Sequence, residues 1–579
     1  MPGRADGFGQ GFFGEITGLL RICLPSSRAG HPAIIGDRLV VLRTPFLSAT
    51  LLAVLIRPLI VFGVWVLAVL AALAAVLIHA GWSLAAAVLF ALAALGTWDL
   101  VQTRHSILRS YPILGHVRFL MELIRPEIRQ YFIESNTEAT PFDRETRDLI
   151  YERAKDTKGD EPFGTERDVN AVGYEFLRHS LRARFAEDLA PRVPLGGQDC
   201  TQPYDIALLN VSAMSFGALS ANAITALNRG AAAGGFAHDT GEGGISPYHL
   251  NGGDLIWEIG SGYFGCRDAD GRFDPDAFAA KAVLPTVKAI SIKLSQGAKP
   301  GLGGVLPGAK VSPEIAATRG VPVGRTVVSP PAHTAFGTPT ELVGFIATLR
   351  RLSGGKPVGF KLCVGARTEF LSICKAILDT GIAPDFIIVD GSEGGTGAAP
   401  VEFEDHIGMP LTEGLMLVHN CLVGTGLRDR VKVGASGKVA SGVDIVSRIC
   451  QGADFTMAAR AMMFAVGCIQ ALKCHTNHCP TGIATQDGAR ARALDVTDKA
   501  ARVHNYQRAT VASAAQIVAS MGLSGFGDLS PDMLNRRVDG LRSRTYAEIY
   551  EWLMPGELLE DPPESWRSDW VESSASEFA

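Results

Sequence analysis

The sequence predicts an α/β protein built on a (β/α)8 TIM barrel, preceded by an N-terminal transmembrane helical hairpin and a helical connector. The barrel rests on two observations. From about residue 205 onward, short β-rich apolar runs alternate with helical patterns, and run after run ends in a Gly-rich segment. Residues 206–211 lead into Ser212-Ala213-Met214-Ser215-Phe216-Gly217, 290–294 into Ser295-Gln296-Gly297-Ala298-Lys299, and 358–362 into Cys363-Val364-Gly365. Residues 386–389 lead into Asp390-Gly391-Ser392-Glu393-Gly394-Gly395-Thr396-Gly397, 431–433 into Gly434-Ala435-Ser436-Gly437-Lys438, and 454–457 into Ala458-Ala459-Arg460. The hairpin rests on a third observation, two long apolar stretches joined by a tight turn. An open doubly wound sheet is the alternative to the barrel. A dinucleotide site on such a sheet lacks support, because no Gly-x-Gly-x-x-Gly stands at a first strand–helix turn with an acidic residue at ribose distance.

The elements follow in order. Residues 1–45 are Gly-rich with no sustained period and read as a leader, not a signal peptide, since the apolar run starts too late and lacks a cleavage site. Within 46–100, residues 58–79 carry no charge, enough for a helix of about 33 Å at ~1.5 Å per residue, and 82–98 are apolar again. The rival is a buried helical pair of a soluble core. Arg38, Arg43 and Arg57 precede the hairpin, and Arg104, Arg109 and Arg118 follow it. The turn holds no Lys or Arg, which puts both ends in the cytoplasm, with Trp82 and Trp98 as interface anchors. Residues 101–200 mix charged and apolar positions and read as a helical connector, with 144–155 its best amphipathic helix. Residues 201–496 form the barrel, and 497–579 a C-terminal helical tail.

The chain has 579 residues, 47% hydrophobic and 20% charged, with a net charge of −5, so no electrostatic case exists for nucleic acid. Its ten cysteines are mostly scattered, which fits a reducing compartment rather than a disulfide scaffold. Three are not scattered: Cys468, Cys474 and Cys479 lie six and five positions apart, and Pro480 and Gly482 follow. Thiolates this close can wrap one iron–sulfur cluster, and a set of three sulfurs suits a cluster with one corner missing, the three-iron, four-sulfide (3Fe-4S) kind. Three packed core thiols, or zinc with His475 or His478 as fourth ligand, are the rival readings on spacing alone.

The flanking run Gly-Cys-x5-Cys-His-x-Asn-x-Cys-Pro-x-Gly-x-Ala-Thr-Gln, ending at Gln486, closely resembles the iron–sulfur loop of the flavin-containing glutamate synthases. The resemblance covers roughly residues 200 to 530 and implies FMN beside the cluster. Ala213, Met214 and Ser215 match the first-strand segment facing the flavin ring, and Glu393-Gly394-Gly395-Thr396 resembles the family's Asp-Gly-Gly-Thr segment along it. Ser436, Gly437, Ala459 and Arg460 fall in the last two strand–helix loops, where barrels bind phosphate, and match the flavin-phosphate region. Lys361, in Gly-Phe-Lys-Leu-Cys-Val-Gly, is the candidate for the flavin N1/O2 edge; a cation there steadies negative charge on reduced flavin, and the rival is a snorkelling surface lysine. Thr240-Gly241-Glu242-Gly243-Gly244 matches the family letter for letter and puts Glu242 beside the amine entry; read by itself, the carboxylate could accept protons or cap a helix. Gln296, Lys299 and Arg319 match the positions that hold 2-oxoglutarate, as amide and cationic donors suited to a dicarboxylate. Ser329-Pro330-Pro331-Ala332-His333 keeps one His of the family's Pro-Pro-Pro-His-His run.

The sequence also departs from that pattern. Where glutamate synthases read Lys-Pro-Gly-Glu-Gly-Gly-Gln, this chain has Lys299-Pro300-Gly301-Leu302-Gly303-Gly304-Val305, an apolar lining better suited to an alkylated amine than to ammonia. It begins Met1-Pro2, without the N-terminal Cys of an amidotransferase domain. The implied activity is reductive amination of 2-oxoglutarate or a related 2-oxo acid by ammonia, an amine, or ammonia from a separate amidotransferase subunit. Electrons would come from a protein donor or a quinol. The alternatives are an N-alkylglutamate synthase, a membrane-linked amino-acid dehydrogenase running in the oxidative direction, and a non-catalytic electron-relay subunit.

Overall fold

The computed structural model describes residues 46–157, 159 and 161–578, with the backbone alone for 46–55. The leader read at 1–45 lies outside the described residues. The chain divides into two compact units, one ending at Ile133 and one beginning at Glu134.

The first unit is helical. Phe46–Leu77 and Trp82–Val101 pack side by side, Trp65 Nε1 donating to Thr97 Oγ1 at 3.0 Å across the pair. Of these, Ile56–Leu77 and Trp82–Val101 are long and apolar enough to cross a membrane, and most of their large side chains (Leu59, Phe62, Leu70, Leu84) are exposed. Asp99 is buried at the end of the second helix, where it accepts hydrogen bonds from Ile113 N at 2.9 Å and His116 Nε2 at 2.9 Å. Ser106–Ser110 and Gly115–Ile128 complete the unit, the latter continuing into a wider-wound turn at Arg129–Ile133.

The second unit holds a closed barrel of eight parallel strands: β1 Leu209–Val211, β2 His238–Asp239, β3 Leu255–Ile259, β4 Val287–Lys293, β5 Val358–Leu362, β6 Phe386–Asp390, β7 Lys432–Ser436 and β8 Phe455–Ala458. Each pairs with the next, and β8 pairs β1 through Met457 and Asn210 to close the ring. Parallel neighbours need a crossover, and amphipathic helices supply most of them, Ala221–Gly234 after β1 and Leu411–Gly424 after β6 among them. Between β2 and β3 only the short turn Pro247–His249 intervenes. A long excursion, 294–338, separates β4 from Pro339–Leu352; it carries the paired strands Val305–Leu306 and Val327–Val328 and the helix Pro313–Arg319.

Two regions differ from the sequence-based expectation. In the connector, residues 155–200 hold no helix among the described residues; they run as extended chain with strands at Glu175–Leu177 and Arg192–Leu195, the first pairing with Leu534–Arg537. The scattered Gly and Pro there deny any sustained helical period. The C-terminal region, read as a helical tail, is helical only in part. Val496–Ser520 lies against Ala221–Gly234, Tyr506 donating to Ala440 O at 2.8 Å and Gln507 to Leu209 O at 3.1 Å, so it closes the outer helical ring. A hairpin of Leu534–Arg537 and Ser543–Thr545 follows.

Candidate active site at the carboxyl end of the barrel

The carboxyl ends of the eight strands open into one cavity of about 310 Å³. Its walls include Ala213, Met214 and Ser215 beyond β1, Glu242 beyond β2, Gln296, Lys299 and Arg319 beyond β4, and Lys361 on β5. Gly394, Gly395 and Thr396 beyond β6, Ser436 and Gly437 at β7, Ala459 and Arg460 beyond β8, and all three loop cysteines complete the set. Glu393 alone of the sequence-predicted residues does not line it. Its carboxylate accepts from Leu411 N at 2.9 Å, at the start of Leu411–Gly424, and its carbonyl accepts from Arg460 Nη2 at 2.5 Å. The side chain is used to seat a helix terminus that would otherwise carry an unsatisfied N–H.

The rim of the cavity is cationic. Lys293, the last residue of β4, ion-pairs with Glu242 Oε1 at 3.2 Å and donates to Gln296 Oε1 at 2.5 Å. Arg319 is 4% exposed; its Nη2 donates to Ser215 Oγ at 3.1 Å and Phe216 O at 3.2 Å, while its buried Nε has no partner among the described residues. Burial lowers the Arg319 pKa to about 10, and burial, then the like charge of Lys293, lowers that of Lys299. Burial alone would raise the pKa of Glu242, but Lys293 and Arg319 outweigh it and hold the carboxylate ionised, below its ordinary range. Glycines 260 and 304 leave room for that carboxylate: a Cβ on Gly260 would stand 2.6 Å from Oε2, and one on Gly304 would collide with Oε1. His333 donates from Nε2 to Lys293 O at 2.8 Å and accepts at Nδ1 from Tyr263 at 3.1 Å, which fixes the strand end. Burial takes His333 down to about 4, so it is neutral.

Deeper, the charges pair among themselves. Lys361 stands in register with Lys293 on the neighbouring strand, yet each lysine turns to its own carboxylate. Lys361 Nζ lies 2.5 Å from Glu258 Oε2 on β3. Burial opposes its charge, but Glu258, Asp239 and Asp390 hold it protonated well above the ordinary lysine range. Asp239, fully buried at the end of β2, is pushed up to about 8 by burial first and the charge of Glu258 second. Asp390 accepts from Gly297 N at 3.0 Å and thereby ties the β4 loop to β6.

The side of the cavity along β6 to β8 is built of small residues: Gly394, Gly395, Ala398, Gly437, Ala458 and Ala459. A Cβ on Gly397 would meet nothing within 4 Å. Lys438 and Arg460 stand at its edge, both with pKa values lowered by burial first. A wall of small residues edged by two cations leaves room for a ring carrying a phosphate, so these residues suit FMN.

The cysteine loop follows β8 and the short helix Arg460–Val466. Three of its non-glycine residues, Gln470, Leu472 and Asn477, take left-handed backbone conformations (φ 56°, 52° and 65°), which wrap the chain tightly. Burial pushes the thiols of Cys468 and Cys474 up, and nearby sulfurs add to this, Cys474 and Cys479 for Cys468 and Cys479 for Cys474. Cys479 differs: donors at Thr481, Ile483 and Ala484 outweigh burial and lower its pKa. Among the described residues, no three His, Cys, Asp or Glu side chains gather closely enough to hold one metal ion, and His475 and His478 are exposed. A single zinc ion needs sulfurs about 2.3 Å away on all sides. The three cysteines line one cavity wall together, a donor set of the sulfur type an iron–sulfur cluster takes. Lys310 clamps the loop, its buried Nζ donating to Cys474 O at 2.8 Å, Ala484 O at 3.1 Å and Ala218 O at 3.3 Å.

Sequence reasoning missed Lys293, Glu258, Asp239 and Lys310. The signal was present for the first two, since a charge inside or ending an apolar run at a barrel strand's carboxyl end is expensive unless used. Nothing local marked Lys310, whose partners lie 92 to 174 residues away.

A closed parallel barrel with ionisable groups converging on a slot at its carboxyl end defines an enzyme of the (β/α)8 class. Residues 169–524 match the family model described as the conserved region in glutamate synthase. The chain is 37% identical over 485 residues to the glutamate synthase large subunit-like protein YerD of Bacillus subtilis (strain 168), covering 76% of this chain and 92% of that protein. It is 32% identical over 339 residues to an archaeal glutamate synthase [NADPH] of Methanocaldococcus jannaschii, and 34% over 321 residues to an archaeal-type enzyme of Thermotoga neapolitana. It spans 62% and 60% of those two proteins, respectively. The chain belongs to the glutamate synthase family and is a glutamate synthase-like oxidoreductase.

Proposed function

We propose that this protein reductively aminates 2-oxoglutarate, or a closely related 2-oxo dicarboxylic acid, with ammonia or a small amine, water leaving as the carbonyl oxygen is replaced. The observation that carries this reading is the charge balance of the rim: Lys293, Lys299 and Arg319 face a single carboxylate, Glu242, an excess of two positive charges at the mouth of the slot. A dicarboxylate neutralises that excess. Arg319 offers its unpartnered Nε, Lys299 a point charge and Gln296 an amide, and together they orient the keto carbon toward the slot. Glu242, held ionised by Lys293 and Arg319, supplies the negative charge that draws an incoming ammonium or amine to the mouth of the slot.

FMN, held by Ala213–Ser215, Gly394–Thr396, Ser436, Gly437, Ala459 and Arg460, and a 3Fe-4S cluster on Cys468, Cys474 and Cys479, would supply hydride and single electrons when bound. Lys361 supports negative charge near the ring while Glu258 fixes its ammonium. The apolar pair of helices anchors the chain in a membrane, with the barrel on the cytoplasmic side. Electrons come from a redox protein or a quinol, and ammonia from solution or a separate amidotransferase subunit.

The test is anaerobic purification of the full chain in detergent, with flavin and iron analysis, then reduction and titration. Reoxidation of the flavin only when 2-oxoglutarate and ammonia are both present supports the proposal. A flavin that ignores both, but is reduced by an amino acid, reverses the direction. Absence of flavin overturns it.

A further inference from the structure

Residues 134–154 stand before the family-matched region yet reach the cysteine loop and the slot. The helix Arg144–Ala154 starts at Asp143, which caps Thr146 N at 2.8 Å. Tyr151 OH donates to Cys468 O at 2.6 Å, across 317 residues of chain. In return Gln470, two residues past Cys468, donates from Nε2 to Phe142 O at 3.1 Å. Arg147, 5% exposed, lies 3.4 Å from Glu134. Pro141 and Phe142 line the cavity itself; the Phe142 ring meets Phe464 edge-on at 5.4 Å and carries the Arg460 guanidinium at 5.0 Å. Arg153 ties the far end of the helix to Thr510 at 3.1 Å.

This segment thus grips the loop at Cys468 and again two residues beyond it, and walls the end of the slot where Arg460 stands. A loop with three left-handed non-glycine residues does not hold such a shape unaided, because each of those conformations is disfavoured. We propose that residues 141–151 are a built-in cover for the cysteine centre, in which Tyr151 and Phe142 are positioning residues that hold Cys468 in its ligating conformation and exclude water. The inference rests on the cluster reading given above. Tyr151 touches the carbonyl of a ligand, not the sulfur, so its effect is on how long the cluster stays and at what potential it works.

The experiment uses the full chain, purified anaerobically, as wild type, Tyr151→Phe and Gln470→Ala. Iron, sulfide and flavin contents are measured first, then the rate of iron release to a chelator and the midpoint potential of the cluster. Both variants are expected to take up wild-type flavin, and to release iron roughly tenfold faster, the ratio that follows from losing one such hydrogen bond. The midpoint potential is expected to shift in both, which loss of general stability would not produce. Arg508→Ala, which cuts only the exposed contact to Asp156, should release iron at the wild-type rate. Iron release and potential unchanged in both cover variants overturn the cover while leaving an iron-loaded wild type, and hence the cluster reading, intact. A wild type without iron overturns both.

Discussion

The floor and the rim of the barrel use the same residue types to opposite ends. On the floor, Lys361 meets Glu258 at 2.5 Å with Asp239 and Asp390 nearby, the first three buried and Asp390 partly so. On the rim, Lys293, Lys299 and Arg319 share Glu242. On the floor the single cation, Lys361, is outnumbered by carboxylates and so is fully paired, and the group fixes the ends of β2, β3, β5 and β6. Rim charges are left in excess, which is what an anionic ligand requires. Burial alone does not separate a structural charge from a binding one; the count of opposite charges around it does.

The largest effect should come from breaking the floor. Lys361→Met leaves Glu258 buried without its cation and should cost about 3–5 kcal/mol of stability, read as a fall in the thermal midpoint. Adding Glu258→Gln should return most of that loss, and no recovery would mean the pair is not the coupling element. Next comes the rim: Arg319→Met should weaken 2-oxoglutarate binding by about a hundredfold in calorimetry, while the thermal midpoint barely moves. Less than a threefold change would remove Arg319 from the binding set.

A third test uses pH. Because the Asp239 pKa is raised to about 8 in the folded chain from 3.8, its contribution to stability is full below pH 3.8 and is lost as pH rises toward 8. Stability should therefore fall across that window with a slope of up to about 1.4 kcal/mol per pH unit from this one group. Asp239→Asn should flatten the slope. The smallest effect concerns Val305, which is half-exposed on the cavity wall. Val305→Gln should shift the preference between methylamine and ammonia toward ammonia by about tenfold or less, from competition at equal concentrations.

Much of the barrel could be read directly from the chain, and the reasons it was incomplete are local. Six strands end in Gly-rich segments that announce them. β2 is two polar residues long, and β3 follows it without a helix, so neither produced a rhythm. All but one of the site residues named from the sequence line the cavity, and they were legible chiefly through the resemblance to the glutamate synthases, with their place at strand ends as a second reason. Glu393 misled because its neighbours do line the cavity, whereas its own side chain turns to a helix terminus. The cover was illegible in principle: 144–155 shows an amphipathic period, but a period says only that one face is buried, never against which distant loop.

The contact between Tyr151 and Cys468 also has a biosynthetic side. At ribosomal speeds of about 5–20 residues per second, the 317 residues between them take roughly 15–60 s to emerge. For that interval the helix around Ile150 and Ala154, both fully or nearly buried in the finished protein, has nothing to lie against. The newborn chain must shelter this face until the residues around Cys468 have emerged, and the cysteine centre can be completed only after Cys479 has been made.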